Sequence, residues 1–216
     1  MNIILFGLPG AGKGTQTNYI IKNFNLFKIS AGELLRTEAE NNTPSGLEIK
    51  TILKKGSFVS DDLINGLVQK ILANKKYYNR LIFDGYPRNL DQAINLNNEL
   101  NKHNQKISRV LFLNVDKDVI SKRILGRQTC SKCGLIFNIY FNPATSENHS
   151  CNAKFLIRRL DDNENTVMNR IETYMEKTLP LLNFYKKQNI LREINAMKKI
   201  DQIYEEIQGI ISTLET

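Results

Sequence analysis

The 216-residue chain has no tryptophan, two histidines, three cysteines and five prolines. So few prolines, with 12 glycines, exclude a collagen-like or low-complexity chain. Three cysteines, all between positions 130 and 151, are an odd set that cannot build a disulfide framework. They suit a metal knuckle or free thiols in a reducing compartment, which points to the cytoplasm. No apolar run comes near the roughly 18 residues needed to cross a bilayer. Met1 is followed by Asn2-Ile3-Ile4-Leu5-Phe6 with no basic leader, so the expectation is a soluble protein without membrane anchor or export signal. Acidic residues are missing before Glu33, and 30 Lys and Arg against 22 Asp and Glu leave +8 overall. That charge favours anionic partners. It acts at long range and without geometry, so it cannot by itself separate nucleic acid, membrane headgroups and nucleotides.

What is present reads as an α/β protein. Apolar runs at 2–6, 27–30, 81–84, 110–115 and 190–194 predict strands, and between them Leu63, Leu67, Ile71 and Ile120, Ile124 recur at helical spacing. Strands alternating with helices predict a parallel sheet with helices on both faces. Two stretches break the alternation. Residues 31–60 read as helix, broken at Thr43-Pro44-Ser45-Gly46 and stopped near Gly56, which predicts a small helical insertion. From Gly126 to Asp162 the chain carries every cysteine and several turn formers, which predicts a small separate lobe. Helices are expected again over 164–177 and 200–214, the second capped by Asp201.

The first strand runs into Gly7-Leu8-Pro9-Gly10-Ala11-Gly12-Lys13-Gly14-Thr15 and then a helix carrying Ile20, Ile21 and Phe24. Glycines let successive backbone N–H groups turn toward one anion, the helix start adds its positive dipole end, and a lysine there reaches the outer phosphates. The general phosphate loop has Ser or Thr directly after the lysine; here Gly14 intervenes before Thr15. With that shift, Gly-x-Pro-Gly-x-Gly-Lys-Gly-Thr resembles the loop of nucleoside monophosphate kinases, and of the adenylate kinase family in particular. Further motifs extend the resemblance over essentially the whole chain: Ser30-Ala31-Gly32-Glu33-Leu34-Leu35-Arg36, Asp84-Gly85-Tyr86-Pro87-Arg88 with Gln92, and Arg159 to Asp162 with Arg170.

The resemblance implies a P-loop core of 1–29, 60–125 and 163–216, an AMP-binding insertion of 30–59 and a lid of 126–162. It implies ATP contacts from Gly10, Ala11, Gly12, Lys13, Gly14 and Thr15. Arg123 would pack on the ATP base and Arg127 would meet its phosphates, with Ile136, Phe137 and Lys198 also at the base. On the AMP side it implies Arg36 and Arg88 on the phosphate, Ala31, Ser57, Phe58, Val59, Gly85, Tyr86 and Pro87 around the nucleotide, and Gln92 reading the adenine edge. Arg159 and Arg170 would face the transferring group, with Asp161 orienting one of them, and Asp84 would hold magnesium through its waters. Two positions depart from the family pattern: Ala31 stands where the family has Thr, and Glu33 where it has Asp. Arg123 and Arg127, four apart, are expected on one face of the helix that starts near Lys117.

The chemistry implied is transfer of the γ-phosphoryl of ATP to AMP, giving ADP. An AMP phosphate oxygen is already ionised near neutrality, so no general base is needed, and neither His103 nor His149 lies in a matching motif. ATP and AMP bring about six negative charges and magnesium removes two, leaving about four for the lysine and arginines to cover. Arginine suits that task because its planar fork binds phosphate oxygens in pairs and keeps its charge. Water must be excluded as a rival acceptor, which gives two covering lobes a purpose.

Cys130-Ser131-Lys132-Cys133-Gly134 has the spacing of a zinc knuckle, with Cys151 a third ligand. Relatives with a lid zinc have their last ligand where Lys154 stands, so a structural zinc needs another fourth ligand, His149 being one candidate. Free thiols in a lid held by packing are the alternative. A UMP/CMP kinase and a non-catalytic nucleotide switch are the rival functions, the latter opposed by the acceptor-phosphate arginine. Nucleic-acid binding is opposed by the five basic and three acidic residues between 126 and 162, too balanced for a basic ribbon. No membrane partner is expected, and the family implies a monomer.

Overall fold

The computed structural model describes residues 1–41, 43–55, 57–159 and 161–214; the stop expected at Gly56, and Leu160 of the Arg159 to Asp162 segment, lie outside them. Along the chain, β1 (Asn2–Phe6) leads into α1 (Lys13–Phe24) and β2 (Phe27–Ser30). Three helices follow with no strand between them, α2 (Ala31–Glu40), α3 (Pro44–Lys55) and α4 (Asp61–Leu72). Then come β3 (Leu81–Asp84), α5 (Leu90–Lys102), β4 (Arg109–Asn114) and α6 (Lys117–Leu125). Short strands β5 (Arg127–Cys130), β6 (Ile136–Asn138) and β7 (Leu156–Ile157) precede α7 (Glu164–Thr173), α8 (Leu181–Lys186), β8 (Leu191–Asn195) and α9 (Ile200–Ser212).

The main sheet has the order β2-β3-β1-β4-β8, with every pairing parallel. Every residue of β1 is buried, because the pleat sends alternate side chains into two separate cores. Ile4 and Phe6 join Ile29, Phe83 and Val110 on one face; Ile3 and Leu5 join Ile82, Leu111 and Leu113 on the other. That double burial is why the strands read as continuous apolar runs. The chain leaves β1 toward β2 on one side, and after β3 crosses over β1 to reach β4 on the other. A crevice therefore opens above the carboxyl end of β1, the place where sheets of this type bind ligands.

Local chemistry sets the element ends. Pro44 starts α3, and the Thr43 hydroxyl accepts a bond from the Gly46 N–H at 3.0 Å, so the expected break becomes a helix start. On α4 the fully buried positions are Ile64, Val68 and Leu72, one residue on from the expected stripe; Leu63, Leu67 and Ile71 are half-buried against the same core. The helix expected over 164–177 changes to a wider π turn at Tyr174–Thr178. Asp201 is not the cap of the last helix: Lys199 is, and Asp201 lies in the first turn, where its carboxylate meets the positive helix end. Between α6 and α7 a three-stranded antiparallel sheet, β6-β5-β7, forms the small lobe. Among the described residues no helix is long and apolar enough to cross a membrane.

Candidate active site

The loop after β1 turns through left-handed backbone at Gly10 (φ 82°) and Gly12 (φ 97°), the latter capping α1. Residues with a Cβ avoid both conformations. Lys13, the first residue of α1, bends back so that its Nζ donates to the carbonyls of Gly7 at 2.7 Å and Leu8 at 3.0 Å. Gly14 stands where Ile136 of β6 comes down on the loop: a Cβ there would lie 2.7 Å from Ile136 Cδ1. The glycine that displaces the usual hydroxyl thus leaves room for the small lobe to reach the loop.

A cleft of about 640 Å³ runs from this loop between the two inserted segments. Its walls bring together Lys13, Arg36, Arg88, Arg127, Arg159 and Arg170, cations from six separate places in the chain, with Asp84 and Asp161 among them. Gly10, Ala11, Gly12, Gly14, Thr15, Ser57, Phe58, Gly85, Pro87, Arg123, Ile136, Phe137 and Lys198 line the same cleft. Crowding shows in the proton affinities. Burial, with smaller contributions from Arg170, Arg88 and Arg127, pulls Lys13 down to about 8 against the opposing attraction of Asp84. Arg88 falls to about 10 and Arg159 to about 9, burial being the largest cause for each and neighbouring arginines adding to it. Burial would raise Asp161, but Arg170, Arg36, Arg127 and Arg159 hold its carboxyl below the ordinary range. Excess positive charge gathered in a partly dry cleft is a site built for a polyanion.

Arg123 and Arg127 do not share a helix face. Gly126 ends α6, and Arg127 opens β5, because the chain must turn there into the small lobe. Both still reach the cleft. The Arg127 fork binds both carboxylate oxygens of Asp162, Nε donating to Oδ2 at 2.7 Å and Nη2 to Oδ1. Asp162, its side chain fully buried, also meets Arg170 at 3.3 Å, while Asp161 pairs with Arg170 at 3.0 Å. Asp162 went unassigned in the sequence, although its place beside Asp161 was the available signal. Phe141 was missed too: it lines the cleft with its ring 5.7 Å from the Arg123 guanidinium, whose Nη2 donates to Ala196 O at 3.0 Å. An aromatic five residues beyond Ile136 in a lobe without periodicity gave no warning of this. Lys198 lines the cleft, while its Nζ pairs with Glu206 at 2.8 Å.

Beside the cleft, Ala31, Phe58, Val59, Tyr86, Arg88 and Gln92 line a second cavity of only about 10 Å³. Arg88 is braced over the Phe58 ring at 4.8 Å, and its Nε donates to Gly85 O at 2.8 Å. The hydroxyl of Thr178, from the π turn, donates to Arg88 O at 2.8 Å. Tyr86 is buried, and its hydroxyl donates to Asn65 Oδ1 at 2.7 Å. Arg36 folds back over Gly32, where a Cβ would sit 3.1 Å from Nη1. Glu33 is paired with Lys28 of β2 at 2.7 Å and also lines the cleft.

Asp84 ends β3 and faces the loop, with Oδ2 3.8 Å from the position of a Cβ on Gly14. A carboxylate beside a phosphate cradle, with Thr15 lining the same cleft, fits a hard divalent ion held through oxygen and water. In the small lobe, the ligand atoms of Cys130, Cys133, His149 and Cys151 lie within 4.8 Å of one another. His149 is buried against the Phe137 ring, and its Nε2 is buried with no hydrogen-bond partner. The Cys130 thiol, despite burial, is drawn down to about 6, the Cys133 and Lys132 backbone and the Cys133 side chain being among the causes, while burial and the neighbouring thiols push Cys151 up to about 11. Lys154 is turned over the Phe155 ring instead, 5.3 Å from its centre.

Comparison with known proteins agrees with this geometry. The family model described as adenylate kinase matches residues 5–190. Adenylate kinase from Pelagibacter ubique (strain HTCC1062) is 49% identical over 211 residues, covering 98% of this chain and 99% of that one. The Fusobacterium nucleatum adenylate kinase is 42% identical over 212 residues, 98% of each chain, and that of Bacillus subtilis (strain 168) 36% over 217 residues, all of both. With a phosphate loop, a cation-lined cleft and full-length similarity in accord, the chain belongs to the adenylate kinase family.

Proposed function

We infer that the chain carries out the reaction of its family, reversible transfer of the γ-phosphoryl of Mg-ATP to AMP to give two ADP. The observation that carries this reading is the convergence of Lys13, Arg36, Arg88, Arg127, Arg159 and Arg170 on one cleft. Six cations exceed the roughly four negative charges left on the two nucleotides after magnesium, so the closed site can neutralise both with little help from solvent. Catalysis is then alignment and charge stabilisation, with no proton to abstract.

In this reading the loop from Gly10 to Thr15 cradles the ATP phosphates, with Lys13 reaching toward the transferred group. Arg123 and Phe141 enclose the ATP base on one side and the backbone at Lys198 on the other, with Ile136 and Phe137 as cover. Arg36 and Arg88 grip the AMP phosphate, and the base enters beside Ala31, Phe58, Val59 and Gln92. That cavity, about 10 Å³, is far below the size of a purine, so the insertion 30–59 must move to admit AMP. Arg127, Arg159 and Arg170 meet the moving phosphoryl, with Asp161 and Asp162 holding two of them in place beforehand. Asp84 would hold magnesium, which supplies charge neutralisation on the phosphates when bound. The lid 126–162 closes over ATP and excludes water.

The cluster of Cys130, Cys133, His149 and Cys151 would hold a structural zinc, with His149 as fourth ligand in place of Lys154. The unpartnered buried Nε2 and the thiol drawn below its ordinary range support that reading. The chain acts as a cytoplasmic monomer. Phosphorus NMR of the purified protein with Mg-ATP, adding AMP, CMP, UMP or GMP in turn, tests the reaction: ADP should form fastest with AMP. ADP accumulating equally without acceptor would mean ATP hydrolysis and refute it.

A further inference from the structure

Gln92 is 2% exposed, and both ends of its amide are engaged. Its Oε1 accepts from the Arg88 backbone N–H at 2.7 Å, and its Nε2 donates to Asp61 Oδ1 at 2.7 Å. The two partners are of unambiguous type. A backbone N–H only donates and a carboxylate only accepts, so each separately dictates which way the amide faces. Asp61 itself is fixed by Asn89, whose Nδ2 donates to both its oxygens at 3.1 and 2.9 Å. Asn89 is oriented in turn as the cap of α5, its Oδ1 accepting from the Gln92 N–H at 2.8 Å. Asp61 lies in the first turn of α4, so the frame ties two helix starts together outside the segment that must move.

We propose that Asp61 is a positioning residue that locks the Gln92 amide in one orientation and thereby makes the acceptor pocket select adenine over guanine. The proposal rests on the reading that Gln92 faces the acceptor base. After its two internal bonds, the amide retains one lone pair on Oε1 and one hydrogen on Nε2. An acceptor beside a donor matches adenine, which offers the N6 amino hydrogen and the N1 lone pair. Guanine offers the reverse, O6 as acceptor and N1–H as donor, and would need the amide turned over. Turning it would point a hydrogen at the Arg88 N–H and an oxygen at the Asp61 carboxylate, leaving two buried groups mismatched. Arg88 enforces one half of that penalty through its backbone, and Asp61 the other through a side chain that can be changed.

The test measures kcat/KM for AMP and GMP in Asp61→Asn, which keeps size and shape while supplying both a donor and an acceptor. The AMP-to-GMP preference should fall about tenfold, with KM for ATP unchanged. In a Gln92→Leu background, Asp61→Asn should leave the ratio where Gln92→Leu alone puts it. KM rising equally for both acceptors, with the ratio intact, would make Asp61 merely structural and overturn the proposal. If Gln92→Leu itself leaves the ratio unchanged, Gln92 does not read the base, and the proposal falls with that reading. In the unaltered protein, the Gln92 Nε2 hydrogen that points at Asp61 should exchange slowly with solvent; fast exchange of that hydrogen would show that no lock exists.

Discussion

Lys13 carries a charge that the empty cleft resists, and nucleotide binding should relieve that resistance in a countable way. Its Nζ is moored to the Gly7 and Leu8 carbonyls, but burial and three nearby arginines lower its proton affinity from the ordinary 10.5 to about 8. The gap corresponds to roughly 3 kcal/mol against charging Lys13 in the free protein. The sign follows from linkage. A folded value below the unfolded one means that the folded chain holds this proton less tightly. The group therefore works against folding below about pH 8, and the cost is relieved as pH rises from there to 10.5.

A polyphosphate in the loop reverses the balance, since its negative charge restores the ammonium. ATP binding should then take up about 0.5 proton at pH 8, where Arg88 and Arg159 are still largely charged and the phosphates themselves no longer titrate. Calorimetric titration with ATP alone, in buffers of differing ionisation enthalpy, reads that number as a slope. Lys13→Met should remove most of the uptake at pH 8. Binding at pH 8 with no proton uptake, or an equal uptake in Lys13→Met, would refute the argument that Lys13 meets the phosphates from a destabilised state.

Two further outcomes test the lobe between α6 and α7. Phe141→Ala removes the ring that faces Arg123 in the cleft, where the ATP base is proposed to stack; a stacked base is worth about 1–3 kcal/mol, so KM for ATP should rise at least fivefold while KM for AMP stays put. An equal rise for AMP would place the ring elsewhere in the cycle. His149→Ala should lower bound zinc well below one per chain by elemental analysis and reduce the melting temperature, because a three-thiol site lacks its fourth ligand. Full zinc occupancy in that variant would show that another group completes the set.

The parallel sheet was legible because burial on both faces writes strands as unbroken apolar runs, and β1 through β4 lie within a residue or so of where those runs predicted them. The phosphate loop was legible because the turn needs glycine at particular backbone angles, a demand visible in one dimension. What stayed hidden depends on contacts between distant segments. A spacing of four put Arg123 and Arg127 on one helix, yet Gly126 ends that helix and the carboxylate of Asp162, 35 residues away, decides where Arg127 points. Strands of two to four residues in the small lobe carry too few positions to show a period, and Phe141 gains its meaning only when that lobe folds back over α6.

Gln92 shows the deeper reason. The family resemblance put Gln92 at the adenine edge, but an amide has two faces with opposite preferences, and sequence does not distinguish them. The orientation is set by the Arg88 backbone and by Asp61, 31 residues earlier and itself held by Asn89. A motif therefore specifies which groups are available, while neighbours outside the motif specify which way those groups face. Where Gln92 meets the acceptor base as proposed, adenine and guanine differ by the direction of two hydrogen bonds, and the second specification, made at the helix starts that frame the pocket, is what would separate them.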